Sequence, residues 1–273
     1  LHNGTSTNSD RFTFTVSDGT TTIAPSTFEI FVLGVKGSPV LLTTNPSLTV
    51  SENERVTLSN AELNISDSDS APPFIRYTVG SLAPANGQLA VAGAPISVGG
   101  TFTQNDINTG RVTYQQNGSE TTKDAFTFTF TDESGNTTLL APKTFSINVL
   151  PVNDLPTLLT TNPQITVTEG GFVSFSSTLL NATDPDSLAS QITYAVATAP
   201  SGGAISLNGT AVTSFTQADI NSGLVRYQQN GSEASSDSFS FTITDQSGTP
   251  GSPATFNINV VSVNDAPGLS NNV

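Results

Sequence analysis

Phe102–Glu120 reads FTQNDINTGRVTYQQNGSE, and Phe215–Glu233 reads FTQADINSGLVRYQQNGSE. Two stretches this alike in one chain make it a tandem repeat. Tyr114 and Tyr227 stand 113 residues apart, and a second echo, LLTTNP at Leu41–Pro46 and Leu158–Pro163, is displaced by 117. Solenoid coils advance in steps of roughly 20–50 residues. The longer period here is the size of one independently folding domain.

Working outward, the 273 residues hold two complete units, 38–155 and 156–267, with 268–273 opening a linker or a further repeat. The start aligns with the middle of a unit. His2-Asn3-Gly4 falls on Gln116-Asn117-Gly118, and DRFTFTVSD (Asp10–Asp18) falls on DAFTFTFTD (Asp124–Asp132). Residues 1–37 therefore read as the closing strands of an incomplete repeat, and Phe12, Phe14, Phe28 and Ile30 are expected to lack a covering sheet.

Apolar residues recur with a period of two. Phe126, Phe128 and Phe130 alternate with threonines, and Phe239, Phe241 and Ile243 do the same with Ser and Thr. One face of each such strand enters a core and the other meets water. Closing strands carry Phe28 and Ile30, then Phe145, Ile147 and Val149, then Phe256, Ile258 and Val260. Earlier strands are expected at Val56–Leu58, Ile75–Val79 and Val112–Tyr114, with counterparts at Val173–Phe175, Ile192–Val196 and Val225–Tyr227. Asn-Gly, Ser-Gly and Ala-Pro turns separate them. About seven short strands per unit predict an all-β chain of tandem antiparallel Greek-key sandwiches. Tyr77, Tyr114, Tyr194 and Tyr227 recur at strand positions, as core residues with a bonded hydroxyl do.

Composition removes several function classes. The net charge is −14, with 22 acidic against 8 basic residues, so no basic stripe exists to neutralise nucleic-acid phosphates. Such a chain invites cations instead. Cysteine is absent, which rules out disulfide staples and thiol chemistry. No apolar run reaches the roughly 20 residues of a membrane span. His2 is the only histidine, so a Ser-His-Asp triad could be built once at most, and neither a phosphate-cradling loop nor zinc spacing is present. Paired carboxylates can hydrolyse glycosides, but here they recur at matching places in both units, which suits architecture. The expectation is a protein without enzymatic activity.

The acidic residues repeat with the fold. Each full unit has a Glu before its second strand (Glu52, Glu169), a Glu closing the long motif (Glu120, Glu233) and an Asp-x-Asp (Asp67 and Asp69; Asp184 and Asp186). An Asp ends the penultimate strand (Asp132, Asp245; Asp18 in the partial unit), and Asn-Asp stands before a proline at Asn153-Asp154 and Asn264-Asp265. Taken singly, each is also an ordinary turn former.

VTEGGFVSFSSTLLNATDPDS with its terminal NDLP resembles the cadherin pattern. FTQxDIxxGxVxYQQNGSE…DxFxFxxTD is similar to the cadherin-like repeat of the chondroitin sulfate proteoglycan type, found also in very large bacterial surface proteins, and the resemblance covers nearly all of the sequence. It implies Ca²⁺ at the junctions between repeats. For the junction near residue 154 the implied ligands are Glu52, Glu120, Asn153, Asp154, Asp184, Asp186 and Asp245. Asp67, Asp69, Asp132, Glu169, Glu233, Asn264 and Asp265 form a weaker set. Hard oxygen-rich clusters suit Ca²⁺, which takes 6–8 oxygen ligands. The first junction departs from the pattern: Gly34-Val35-Lys36-Gly37 stands where the second reads Pro151-Val152-Asn153-Asp154. Lys36 is expected to neutralise Asp67, Asp69 and Asp132 there, leaving calcium weak or absent.

The reading that follows is a calcium-stiffened stalk or adhesive array at the cell surface, whose partners are neighbouring repeats of the same or identical chains. An alternative is a self-assembling extracellular filament in which another subunit's strands complete residues 1–37. A third is a module that binds a cell-surface protein or glycan through the loop Gly80–Gly100.

Overall fold

Alternation along Lys123–Thr131 buries Phe126, Phe128 and Phe130 to 1% exposure or less, while Thr127, Thr129 and Thr131 face outward. This is the period-two pattern that the sequence predicts. The computed structural model describes residues 9–32, 36–139 and 141–265. His2, Val35 and the segment 268–273 lie outside the described residues. By internal contacts the protein divides into two units, Leu1–Pro151 and Val152–Val273.

In the first unit a five-stranded sheet runs in the order Thr101–Thr103, Arg76–Val79, Lys123–Thr131, Lys143–Leu150, Ser47–Ser51. A four-stranded sheet runs Arg55–Thr57, Val112–Gln116, Gly87–Val91, Ala94–Ile96. Both contribute to one core, in which Tyr77, Phe126, Phe128 and Phe145 meet Leu58, Leu89, Val112 and Tyr114. Fully burying a Phe side chain contributes roughly 1.5–3 kcal/mol. The second unit repeats the plan. Its sheets run Gln164–Thr168, Ala254–Val261, Ser236–Thr244, Thr193–Thr198, Ser214–Thr216 and Phe172–Ser174, Val225–Gln229, Gly203–Leu207, Thr210–Ala211.

The observed sandwich differs from the expected one in two respects. It is not wholly antiparallel: Ser47–Ser51 pairs parallel with Lys143–Leu150, and Gln164–Thr168 with Ala254–Val261. In each repeat the first strand of the large sheet and its last run the same way along one edge. It also has more than seven strands. The stretch Gly80–Gly100, read as a loop, folds into the hairpin Gly87–Val91/Ala94–Ile96, turning at Ala92-Gly93 with φ of +50° and +82°.

The repeated FTQ motif has a structural cause. Thr103 caps the helix Gln104–Asn108 through a reciprocal pair with Asp106, and Thr216 does so with Asp219 for Gln217–Asn221. Buried Gln104 accepts from the Tyr77 hydroxyl at 2.5 Å and from Ile65 N–H at 2.8 Å. Gln217 does the same for Tyr194 and Ala182 at 2.6 and 2.8 Å. The tyrosine hydroxyls are bonded, as the sequence predicts: Tyr114 donates to Asp124 and Tyr227 to Asp237, each at 2.7 Å.

Residues Ser9–Phe14 and Ser26–Phe31 form a two-stranded hairpin with Phe12 opposite Phe28. This is the register of Phe126 opposite Phe145 and of Phe239 opposite Phe256. Phe12 and Phe28 are 52% and 53% exposed, whereas the four equivalent rings are at most 1% exposed.

Candidate metal-binding site

The acids gather at the ends of the repeats because strand ends carry the turns in which Asp and Glu side chains bond backbone N–H groups. In the second unit, Asp184 and Asp186 follow the short strand Ala182–Thr183, and Asp245 ends Ser236–Thr244. Asp184 Oδ1 accepts from Asp186 N–H at 2.8 Å. Asp186 Oδ2 accepts from Asp154 N–H, and Asp245 Oδ2 from the Asn153 side-chain amide, both at 2.6 Å. Five of the sequence-derived site residues are thus joined within this unit by hydrogen bonds. The Ser247 hydroxyl first, then the Asn153 amide, hold the Asp245 carboxyl below its usual range despite its burial. Asp184 is 8% exposed, and its Oδ2 is buried with no hydrogen-bond donor among the described residues.

At the opposite end of the same unit, Glu169, Glu233 and Asp265 each offer a carboxylate oxygen, all within 4.8 Å of one another. Glu169 Oε2 also accepts from Val263 N–H at 2.9 Å. The charge of Glu169, then burial, then the charge of Asp265 push the Glu233 carboxyl above its usual range. Asn264 turns its side-chain amide to the Asp265 carbonyl.

The first unit shows the same plan with different occupants. Glu52 is buried and Glu120 exposed, with a carboxylate oxygen from each within 4.8 Å of the other. At the other end Asp67 Oδ1 accepts from Asp69 N–H at 3.0 Å, and Asp69 Oδ2 from Gly37 N–H at 2.7 Å. Asp132 is 4% exposed. Burial raises its carboxyl, but hydrogen bonds from Asn136 and Ser134 outweigh that and leave it lowered. Lys36 forms its ion pair with Glu133, an acid that the sequence reading passed over, rather than with Asp67, Asp69 or Asp132. The charges of Asp69 and Asp132 add to that of Glu133 in raising the Lys36 ammonium. A signal for Glu133 was available. Lys36 and Glu133 stand where the second repeat has Asn153 and Gln246, so both members of the ion pair differ together.

The residues fit a hard cation. An orphaned buried carboxylate oxygen costs roughly 1–3 kcal/mol or more, and both Asp184 Oδ2 and Asp67 Oδ2 are of this kind. Carboxylates and amide carbonyls are the donors that Ca²⁺ takes. No histidine or cysteine stands among them to favour a softer metal.

Comparison with known proteins agrees with this picture of repeats. The chain is 30% identical over 253 residues to FRAS1-related extracellular matrix protein 2 of Homo sapiens, covering 89% of the chain and 8% of that protein. It is 32% identical over 259 residues to human extracellular matrix organizing protein FRAS1, covering 87% and 6%. Human chondroitin sulfate proteoglycan 4 is 31% identical over 208 residues, covering 71% and 9%. The chain thus spans under a tenth of the length of each of these relatives. Among solved structures, human protocadherin-24 EC1-2 is similar with a TM-score of 0.46 at 14% identity, covering 84% of the present protein and 100% of that one. The family described as cadherin-like matches residues 39–149 and 156–260. With two matched segments that take in most of the sequence, each folded as a β-sandwich, the protein belongs to the cadherin-like family.

Proposed function

We propose that the chain is a segment of an extracellular structural or adhesive array whose repeats hold Ca²⁺ at their ends. Its relatives are matrix proteins by name, and the chain belongs outside the cell with them. The observation that carries calcium is Asp184 Oδ2, buried without a donor at an end where Asp186 and Asp245 are already committed to amides. In the second repeat Asp184, Asp186, Asp245, Asn153 and Asp154 would hold the ion at one end, and Glu169, Glu233 and Asp265 at the other. Glu52 and Glu120 would do so in the first repeat. Bound calcium supplies charge neutralisation, so that acids which repel one another become a cross-link between turns. The protein's own contribution is the fixed placement of those oxygens by backbone N–H donors. A stalk that must resist bending gains from ends tied in this way, since neighbouring domains joined by short linkers otherwise move freely.

Thermal unfolding in excess calcium, in magnesium alone and with a chelator tests the reading. Calcium is expected to raise Tm, and magnesium to do so far less. An unchanged Tm across all three conditions would remove calcium from the proposal and leave only the structural array.

One observation favours a second reading, completion of the first hairpin by strands of another molecule. Phe12, Phe14 and Phe28 are 52, 42 and 53% exposed in a register that buries their counterparts. Sedimentation over a wide concentration range decides it: a monomer at every concentration excludes self-assembly by this segment.

A further inference from the structure

We infer that Asn208 is a site of spontaneous deamidation in the second repeat, held open by its turn while the other described Asn-Gly pairs are locked. Asn-Gly occurs at 3–4, 86–87, 117–118, 208–209 and 230–231, the first of these outside the described residues. In the reaction the glycine backbone nitrogen, having lost its proton to solvent base, attacks the asparagine Cγ. A ring C–N bond forms, the bond from Cγ to the amide nitrogen Nδ2 breaks, and that nitrogen leaves as ammonia. Water then opens the succinimide at either carbonyl, giving aspartate or isoaspartate. The glycine N–H must therefore reach solvent, and the backbone must swing toward the asparagine amide.

Three pairs cannot meet these requirements without local unfolding. Gly118 N–H donates to Gln116 Oε1 at 2.6 Å, and Gly231 N–H to Gln229 Oε1 at 2.6 Å. Both glutamines are at most 1% exposed. The attacked side chains are pinned as well, Asn117 Oδ1 accepting from Ser119 N–H and Asn230 Oδ1 from Ser232 N–H, each at 3.1 Å. Asn86 donates its N–H to Asp124 at 3.0 Å, and its carbonyl accepts from Asn117 N–H at 3.2 Å and from the Tyr114 hydroxyl at 3.3 Å. Gly87 packs so closely on the Tyr114 ring that a Cβ would overlap it.

Asn208-Gly209 is different. The pair forms the two-residue turn between Gly203–Leu207 and Thr210–Ala211, with φ of +50° and +83°. Both residues are exposed. Among the described residues, no hydrogen bond involves the Asn208 side chain or the Gly209 N–H. Thr210–Ala211 is a two-residue strand at the sheet edge, the kind of element that opens at little cost. The matching turn of the first repeat is Ala92-Gly93, whose alanine cannot react. Asn208 also shares a concavity of about 240 Å³ with Arg226, the only Lys or Arg among residues 152–273. Deamidation would place a new carboxylate beside that cation. The second repeat would then carry an ion pair that its sequence does not encode.

The test is to age the intact protein at mildly alkaline pH and map each Asn-Gly site by mass spectrometry, with isoaspartyl methylation as a second readout. Asn208 is expected to convert at least about fivefold faster than Asn86, Asn117 and Asn230, a factor that one hydrogen bond of ordinary net strength confers. In concentrated urea the four rates should converge, because every one is followed by glycine. Gln229→Ala should raise the rate at Asn230 without changing that at Asn208. If that variant fails to fold, the urea comparison carries the same information. Conversion at Asn117 or Asn230 as fast as at Asn208 in the folded protein would overturn the inference, as would a gap that persists in urea.

Discussion

The leading ends of the two repeats share a backbone arrangement and differ in who balances its charge. Gly37 N–H donates to Asp69 in the first, and Asp154 N–H to Asp186 in the second, at 2.7 and 2.6 Å. One residue earlier the arrangements part. Lys36 sends an ammonium to Glu133, whereas Asn153 sends a neutral amide to Asp245. The first end therefore carries a cation of its own, and the Lys36 hydrogen bond holds the Glu133 carboxyl down at about 2. The second end offers its acids no internal cation. Yet among the described residues both leave one buried oxygen without a donor, Asp67 Oδ2 and Asp184 Oδ2. A lysine in the linker offsets the exposed charge without satisfying that buried oxygen. The two ends thus separate charge balance from ligation, which an acid count alone would confuse.

The largest effect is expected from Asp184→Asn. It keeps an acceptor for Asp186 N–H and removes the orphaned charge. Calcium at tenfold excess over its dissociation constant stabilises the state that binds it by about 1.4 kcal/mol. Calorimetry should show that increment lost from the second repeat, with the first repeat unchanged. A calcium shift equal to that of the parent would break the comparison, since Asp184 would then be a turn former only. A smaller effect of opposite sign is expected from Lys36→Asn combined with Gly37→Asp, which writes the second end into the first. A Cβ at residue 37 meets Ser68 Oγ at 3.6 Å and Asp69 Oδ2 at 3.7 Å, ordinary contacts, so the change fits. The calcium-induced rise in the Tm of the first repeat should grow. An unchanged rise would show that the lysine is not what distinguishes the ends.

Much of this was legible because β-structure writes itself in period two. Phe126, Phe128 and Phe130 announced both their strand and its buried face, and the matching register of the first hairpin followed from the alignment of Asp10–Asp18 with Asp124–Asp132. The acids at the repeat ends were visible as a recurrence. Contacts made across the fold were not visible. Gln116 is buried because its Oε1 takes N–H bonds from Asn53, 63 positions away, and from Gly118. No local pattern marks that pairing, so QQNGSE read as a turn and not as the lock on one. The parallel edge pairs escaped for the same reason, since strand direction is set by connections, not by periodicity. Glu133 was missed because alignment finds equivalent positions, while its ion pair with Lys36 exists only where the two repeats differ.

The trailing end of the second repeat sharpens the comparison from the side of repulsion. The Glu169 charge raises the Glu233 carboxyl. A carboxyl raised on folding binds its proton more tightly in the folded state, so stability contributed there falls as pH rises through its folded value. Without calcium, Glu233→Gln should raise the Tm of the second repeat at neutral pH and flatten that slope. With calcium it should lower the affinity. A variant neutral in both conditions would mean that the three carboxylates do not act together.

The smallest effect belongs to Lys36→Ala. The partner Glu133 is an exposed carboxylate, and exposed ion pairs contribute little and are screened by salt. The sign is nevertheless fixed. Glu133 is lowered from 4.5 to about 2 on folding, so its stabilisation is present above the ordinary carboxylate range and lost as pH falls through that window. The parent should therefore exceed Lys36→Ala in the Tm of the first repeat at neutral pH and low salt, and the two should converge in acid. The second repeat of the same molecule, with Asn153 and Gln246 at these positions, should show no difference between parent and variant at any pH. If the difference survived at a pH near 2, lost packing of the lysine stem would be its cause. Charge would then no longer explain how the two ends diverge.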